Sequence, residues 1–265
     1  MTRRRRPDRI STASPMPAST MRPASGSATE ATSGTSGAVA EKLTLDKRHA
    51  LIDLGTGPGL LALGFAPYVG RITGVDPEPE MLVVARQAAE QQRQAFTLIE
   101  GKAEALPDDI GKFNVVTIGR ALHWMDRDAM AALLPRLVAP KGAIVVCSSG
   151  SATDGRNAWL DAYNEARRFW SGQAGGGRPR EVLAAVLAGT RLKLTEEIAV
   201  ESSHEVSVND LARRVLTFST SSPAVLGDKA EAMLRDVGER LLPLSRDGLL
   251  AEIVISTARV VRSES

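Results

Sequence analysis

Leu51-Ile52-Asp53-Leu54-Gly55-Thr56-Gly57-Pro58-Gly59 carries an apolar strand pattern directly into three glycines. A helical pattern follows to about Val69. The next apolar run, Arg71–Asp76, ends in Gly74-Val75-Asp76. Glycine tolerates positive φ and leaves no side chain between backbone and ligand. A strand–glycine–helix elbow therefore lets a ligand lie against the amides at a helix start, at the carboxyl end of a sheet. A dinucleotide loop needs Gly-x-Gly-x-x-Gly. Here the position of the third glycine of that pattern is Leu60, and the glycine stands one residue earlier, at 59. Asp53 precedes the loop by two residues. Asp76 closes the second strand, where an acid can accept hydrogen bonds from both ribose hydroxyls of an adenosine.

Outward from this loop, short apolar runs alternate with helical periodicity. Glu78–Gln92 is helical, with Met81, Leu82, Ala85, Ala88 and Ala89 as its apolar stripe. Phe96–Glu100, Phe113–Ile118 and Ala143–Ser148 read as strands, and Asp126–Val138 as a helix closed by Pro140 and Gly142. This alternation predicts an α/β fold with a mostly parallel sheet, helices on both faces and right-handed crossovers. After Gly150 the pattern changes. Residues 155–190 read as helical around Gly175–Gly177, Leu192–Val200 as a strand, and Val208–Ser219 and Asp228–Leu242 as helices. Leu249–Val261 reads as the last strand.

Residues 1–40 are rich in Ser, Thr, Ala, Pro and Gly. Such a segment buries too little surface to offset its ordering entropy, so disorder is expected. Its Arg-rich, acid-poor start has the composition of a transit peptide; a floppy tail or a start codon placed too early are the alternatives. The organisation expected is thus a tail (1–40), a nucleotide-binding core (41–150), and a helical cap inserted after strand five with the last strands (151–265).

The net charge of +2 conceals an asymmetry. Residues 1–22 hold six arginines against Asp8, which leaves −3 for the remainder. The global charge of the expected globular part therefore gives no case for a nucleic-acid surface. No stretch approaches the roughly 20 apolar residues of a membrane span. One cysteine, Cys147, excludes an internal disulfide and fits a cytoplasmic chain. Histidines at 49, 123 and 204 form no ligand spacing, so no metal is expected.

Asp53-Leu54-Gly55-Thr56-Gly57-Pro58-Gly59 with Gly74-Val75-Asp76 resembles motif I and the second-strand acid of class I S-adenosylmethionine (SAM)-dependent methyltransferases. Gly101-Lys102-Ala103-Glu104-Ala105-Leu106-Pro107 resembles the segment that lines the adenine, and Phe113-Asn114-Val115-Val116 resembles strand four. Ala121-Leu122-His123-Trp124 is similar to the His-Trp motif of the small-molecule branch, and Leu137-Val138-Ala139-Pro140-Lys141-Gly142-Ala143 to the turn into strand five. The resemblance covers about residues 45–150. It implies a doubly wound, Rossmann-like, seven-stranded sheet, SAM as cofactor and a small-molecule methyl acceptor.

By position, the resemblance implies that Gly55, Thr56, Gly57 and Gly59 approach the methionine and ribose. Asp53 fixes the loop and helps receive the ligand's amino group, and Asp76 holds the ribose. Pro77 and Met81 flank the adenine, Ala103 and Glu104 lie at its edge, and Arg120 completes the cofactor contacts. His123 is either a base or, with Trp124, a wall of the pocket. Trp159 and Tyr163 are either substrate contacts or core. Arg156, Arg167 and Arg168 are either anion recognition or surface charge. Two positions depart from the family pattern: Lys102 stands where an acid is frequent, and Asn114 replaces the Asp of Phe-Asp. A SAM-binding protein without transfer activity fits the same residues. A nicotinamide-dependent oxidoreductase fits the loop spacing poorly, and no Asn-Pro-Pro-aromatic run follows strand four, as a nucleic-acid methyltransferase would have.

Overall fold

The computed structural model describes residues 26–171, 179–218, 221 and 223–264. In chain order they form α1 (Gly26–Leu43), β1 (Ala50–Leu54), α2 (Leu60–Phe65), β2 (Arg71–Asp76), α3 (Pro79–Gln91), β3 (Phe96–Glu100), β4 (Phe113–Gly119), α4 (Arg127–Leu137) and β5 (Val138–Ser151). There follow α5 (Leu160–Ser171), α6 (Pro179–Leu187), β6 (Leu192–Ser207), α7 (Val208–Arg214), α8 (Pro223–Leu226), α9 (Ala230–Leu241) and β7 (Leu249–Ser263).

The strands make one seven-stranded sheet in the order β3-β2-β1-β4-β5-β7-β6. β1 pairs in parallel with β2 and β4, and the parallel pairing extends to β3 and β5. β7 runs antiparallel between β5 and β6. The chain order reverses between β1 and β4, which opens a crevice at the carboxyl ends of those strands. Every residue of β1 is buried, as expected of a parallel strand covered on both faces. One face packs Ile52, Val116 and Ile144 against Met130 and Leu134 of α4 and Leu183 of α6. The other packs Leu51, Val115 and Val145 against Phe65 of α2 and Val39 of α1. Each such side chain contributes about 1.5–3 kcal/mol by leaving water.

Helix starts follow local chemistry. Asp126 caps α4 by accepting the Ala129 amide at 2.8 Å, and Pro79 opens α3 where no helical N–H is needed.

Three expectations change. Residues 26–40 are helical rather than part of a disordered tail; residues 1–25 lie outside the described residues. Thr35, Ser36, Val39 and Ala40 are buried, because small side chains let α1 sit close on the sheet. That packing needs no large apolar residue, so the composition hid it. β6 runs to Ser207, seven residues past its expected end, because its polar half pairs with β7 as far as Leu249. Finally, the helical layer at the carboxyl end is not one insertion after β5. α5 joins α7 and α9, which lie between β6 and β7, in a separate cluster built on Trp159, Leu211, Met233 and Val237. α6 belongs to the main core instead.

Candidate cofactor site and active site

The glycine loop is held from below by β2: the Gly55 and Thr56 amides both donate to the Val75 carbonyl, at 2.8 and 2.9 Å. Gly55, Gly57 and Gly59 all have positive φ (68°, 51° and 81°), but they serve differently. A Cβ on Gly55 would stand 2.4 Å from the Ala121 methyl, and one on Gly59 would stand 3.1 Å from the Ala85 methyl. These two glycines permit close packing. A Cβ on Gly57 would meet nothing within 4 Å, so that glycine faces open space.

Two acids frame the loop. Asp53 is 1% exposed and accepts the hydroxyls of Thr56 and Thr117, each at 2.7 Å. Burial raises its pKa to about 6 despite those hydrogen bonds, and the nearby Asp76 charge adds to the rise. Asp76 accepts the Gly57 amide at 2.8 Å through Oδ2 and the Glu78 amide at 3.0 Å through Oδ1. It ties β2, the loop and the entry to α3 into one unit. Pro77 is exposed and Met81 half-buried just beyond it.

Ala103 is buried, on a short 3-10 turn after β3. Glu104 is engaged: its Oε1 accepts the Asp126 amide at 2.8 Å, which fastens that turn to the start of α4. Past β4, Arg120 adopts φ 58° and donates its amide to the Cys147 carbonyl, which turns the chain across the end of β5. His123 and Trp124 follow on a 3-10 turn with ring centroids 4.8 Å apart; Trp124 is 70% exposed. Desolvation, and then the Arg120 charge, lower the His123 pKa.

Trp159 and Tyr163 do not touch the glycine loop. Both are buried in the α5/α7/α9 cluster, edge to face at 5.6 Å, and Trp159 donates to the Ala251 carbonyl at 2.9 Å. Their near-helical spacing reflects core packing. Arg156 is a surface residue, engaged by Asp154 and Glu201. Asn114 accepts the Ala50 amide at 2.9 Å and so fixes the start of β1 against β4. Thr117 was missed in the sequence; its signal is a lone hydroxyl in the apolar run Val115-Val116-Thr117-Ile118. A cavity of about 260 Å³ lined by His49, Asn114, Lys141 and Arg262 lies at the opposite, amino end of the parallel strands and is remote from the loop.

Residues 51–142 match the family model described as "Methyltransferase domain". That span runs from β1 into β5 and contains the glycine loop, both acids and the His123 turn. These residues are a methyltransferase domain. Within the family, the chain is 37% identical over 76 residues to the uncharacterized methyltransferase YcgJ of Bacillus subtilis, covering 28% of this chain and 30% of that protein. It is 35% identical over 108 residues to the demethylmenaquinone methyltransferase of Thermus thermophilus, covering 39% and 49%. The matched stretch thus spans less than half the length of these curated relatives. The crystal structure of YcgJ superposes with a TM-score of 0.56 at 18% identity, covering 88% of this chain and 99% of that one. A SAM-dependent methyltransferase from Thiobacillus denitrificans, solved with S-adenosyl-L-homocysteine, superposes at 0.50 with 16% identity, covering 87% and 91%. The methyltransferase fold therefore extends through β6 and β7, beyond the sequence match.

Proposed function

We propose that this chain transfers a methyl group from SAM to a small-molecule acceptor. The observation that carries the proposal is the Asp76–Gly57 contact beside an open face of the loop. A carboxylate at the end of the second strand, fixed by a loop amide, keeps lone pairs for the two hydroxyls of a ribose. The open side of Gly57 leaves room for the ligand to lie on backbone.

The residues present fit SAM. Asp53 is a buried carboxylate whose charge has only hydroxyl partners, which suits an approaching ammonium group. Pro77 and Met81 offer apolar surface beside Asp76 for an adenine, with the Ala103 turn at its edge. Bound SAM supplies a methyl group already activated by the sulfonium. The protein's task is then alignment and exclusion of water. Arg120, His123 and Trp124 border the crevice past β4, where an acceptor must enter. His123, kept neutral by its surroundings, serves as the base for an acceptor that must lose a proton. The net negative charge outside residues 1–22 favours a small molecule over nucleic acid, and no helix among the described residues is long and apolar enough to cross a membrane. A cytoplasmic setting fits these features.

The test is conversion of SAM to S-adenosylhomocysteine with a panel of small hydroxyl, amine and carboxylate acceptors. Turnover above the acceptor-free rate supports transfer. Tight SAM binding with no turnover on any acceptor favours a SAM-binding protein instead.

A further inference from the structure

The carboxyl end of the sheet carries a second group of polar side chains, away from the glycine loop. Glu252 on β7 is fully buried. It accepts Nη1 and Nη2 of Arg214 at 2.6 and 2.9 Å and the Ser151 hydroxyl at 2.7 Å, with His204 Nε2 3.1 Å away. This constellation is balanced, one carboxylate against one guanidinium, and it ties β5, β6, β7 and α7 together.

Arg167 on α5 is not balanced. Its guanidinium carbon lies 3.6 Å from the Phe218 ring centroid and 5.9 Å from that of Tyr163. Its one side-chain hydrogen bond, to Asn164 Oδ1, is long at 3.4 Å. Among the described residues no carboxylate lies within ion-pair distance of it. Its Nε is buried and makes no hydrogen bond. The Tyr163 hydroxyl is also buried without a partner, on a residue 4% exposed. Burial pushes the Tyr163 pKa up to about 12, so the hydroxyl keeps its proton and can donate. Two unused buried donors and an uncompensated cation, stacked on an aromatic ring, match the two oxygens and single charge of a carboxylate. The half-buried Phe218 ring supplies apolar surface beside the guanidinium. α5 leaves the carboxyl end of β5, the end of the sheet that also bears the glycine loop.

We propose that Arg167 and Tyr163 hold a carboxylate of the methyl acceptor, which is an aromatic or apolar carboxylic acid. This rests on the reading of the chain as a methyltransferase. Arg156 and Arg168, the other two arginines read from the sequence as anion recognition or surface charge, are exposed and are not part of the site.

The test titrates the full chain, saturated with S-adenosylhomocysteine, with benzoate and trans-cinnamate, and with benzamide and cinnamamide as uncharged matches. The wild type binds the acids at least about tenfold more tightly than the amides. Arg167→Gln removes that preference, a loss of about tenfold or more, and leaves S-adenosylhomocysteine binding unchanged. Tyr163→Phe loses part of it. Equal binding of acids and amides by the wild type overturns the proposal, as does wild-type acid affinity in Arg167→Gln, or no binding of either acid. The acid–amide comparison in the wild type needs no variant to fold. Failure to bind S-adenosylhomocysteine overturns the methyltransferase reading instead, and repeating the acid titration on the cofactor-free chain keeps the two failures distinct.

Discussion

Thr117 on β4 donates its hydroxyl to Asp53 on β1 at 2.7 Å, in a place where both residues are buried. This bond crosses the point where strand order reverses. It holds the acid that anchors the glycine loop to the strand that leads into the His123 turn.

Thr117→Val keeps the shape and removes the donor. Asp53 then has Thr56 as its remaining side-chain donor. The expected cost is about 1–3 kcal/mol of stability at pH 8, read from urea unfolding. SAM affinity falls as well, because the loop loses its anchor. Unchanged stability in this variant would contradict a structural role for the Thr117 hydroxyl.

The Asp53 carboxyl titrates near 6 in the folded chain and near 3.8 unfolded. The native state thus holds an extra proton between those values. Stability falls as pH rises from about 4 to about 6 and then levels, by up to about 3 kcal/mol. Asp53→Asn abolishes that slope and is more stable than wild type at pH 8. A cationic amino group near Asp53 favours its charged form, so SAM binding tightens between pH 5 and 7 in the wild type and is nearly flat in Asp53→Asn. Calorimetric titrations across that range check this; identical pH profiles for the two proteins would contradict it.

The loop glycines separate folding from binding. Gly55→Ala forces a methyl to 2.4 Å from Ala121 and lowers the melting temperature sharply. Gly57→Ala meets no protein atom and costs about 1–2 kcal/mol from its left-handed backbone alone. Its SAM affinity nonetheless drops tenfold or more, since the methyl occupies the ligand's side of the loop. Thermal melts with and without SAM separate the two effects.

Arg214→Ala leaves Glu252 buried without its cation. The expected loss is about 3 kcal/mol, the low end for a broken buried pair, because Arg214 is one-third exposed and Ser151 and His204 remain. Arg214 helps hold the Glu252 pKa down in the wild type. The stability this gives is present above the unfolded carboxyl pKa and is lost as pH falls. The variant's deficit therefore shrinks as pH falls from the unfolded carboxyl value of 4.5 through the lower value of the folded wild type. Urea melts at about pH 7.5 and about pH 3.5 measure it.

Much of the core was legible because its signals are local. β1 and β2 read directly as strands, since continuous apolar runs broken by glycines or acids have few other meanings. The Gly59 spacing and Asp76 carried the cofactor reading for the same reason. What was not legible depends on partners distant in sequence. α1 packs through small residues whose burial needs the sheet beneath them. The polar half of β6 is a strand because β7 lies beside it. Trp159 could be read as substrate contact or as core, and α7 and α9, distant in sequence, bury it. Arg167, Tyr163 and Phe218 come together only through the joining of α5 to the segment after α7.

The central claim is that the Asp53–Asp76 loop selects SAM. Isothermal titration of the wild type and Asp76→Ala with SAM and with NAD tests it most directly. The wild type is expected to bind SAM saturably and one to one, Asp76→Ala to bind it at least about tenfold more weakly, and neither to bind NAD. NAD binding without SAM binding, or equal SAM affinity in the two proteins, would contradict it.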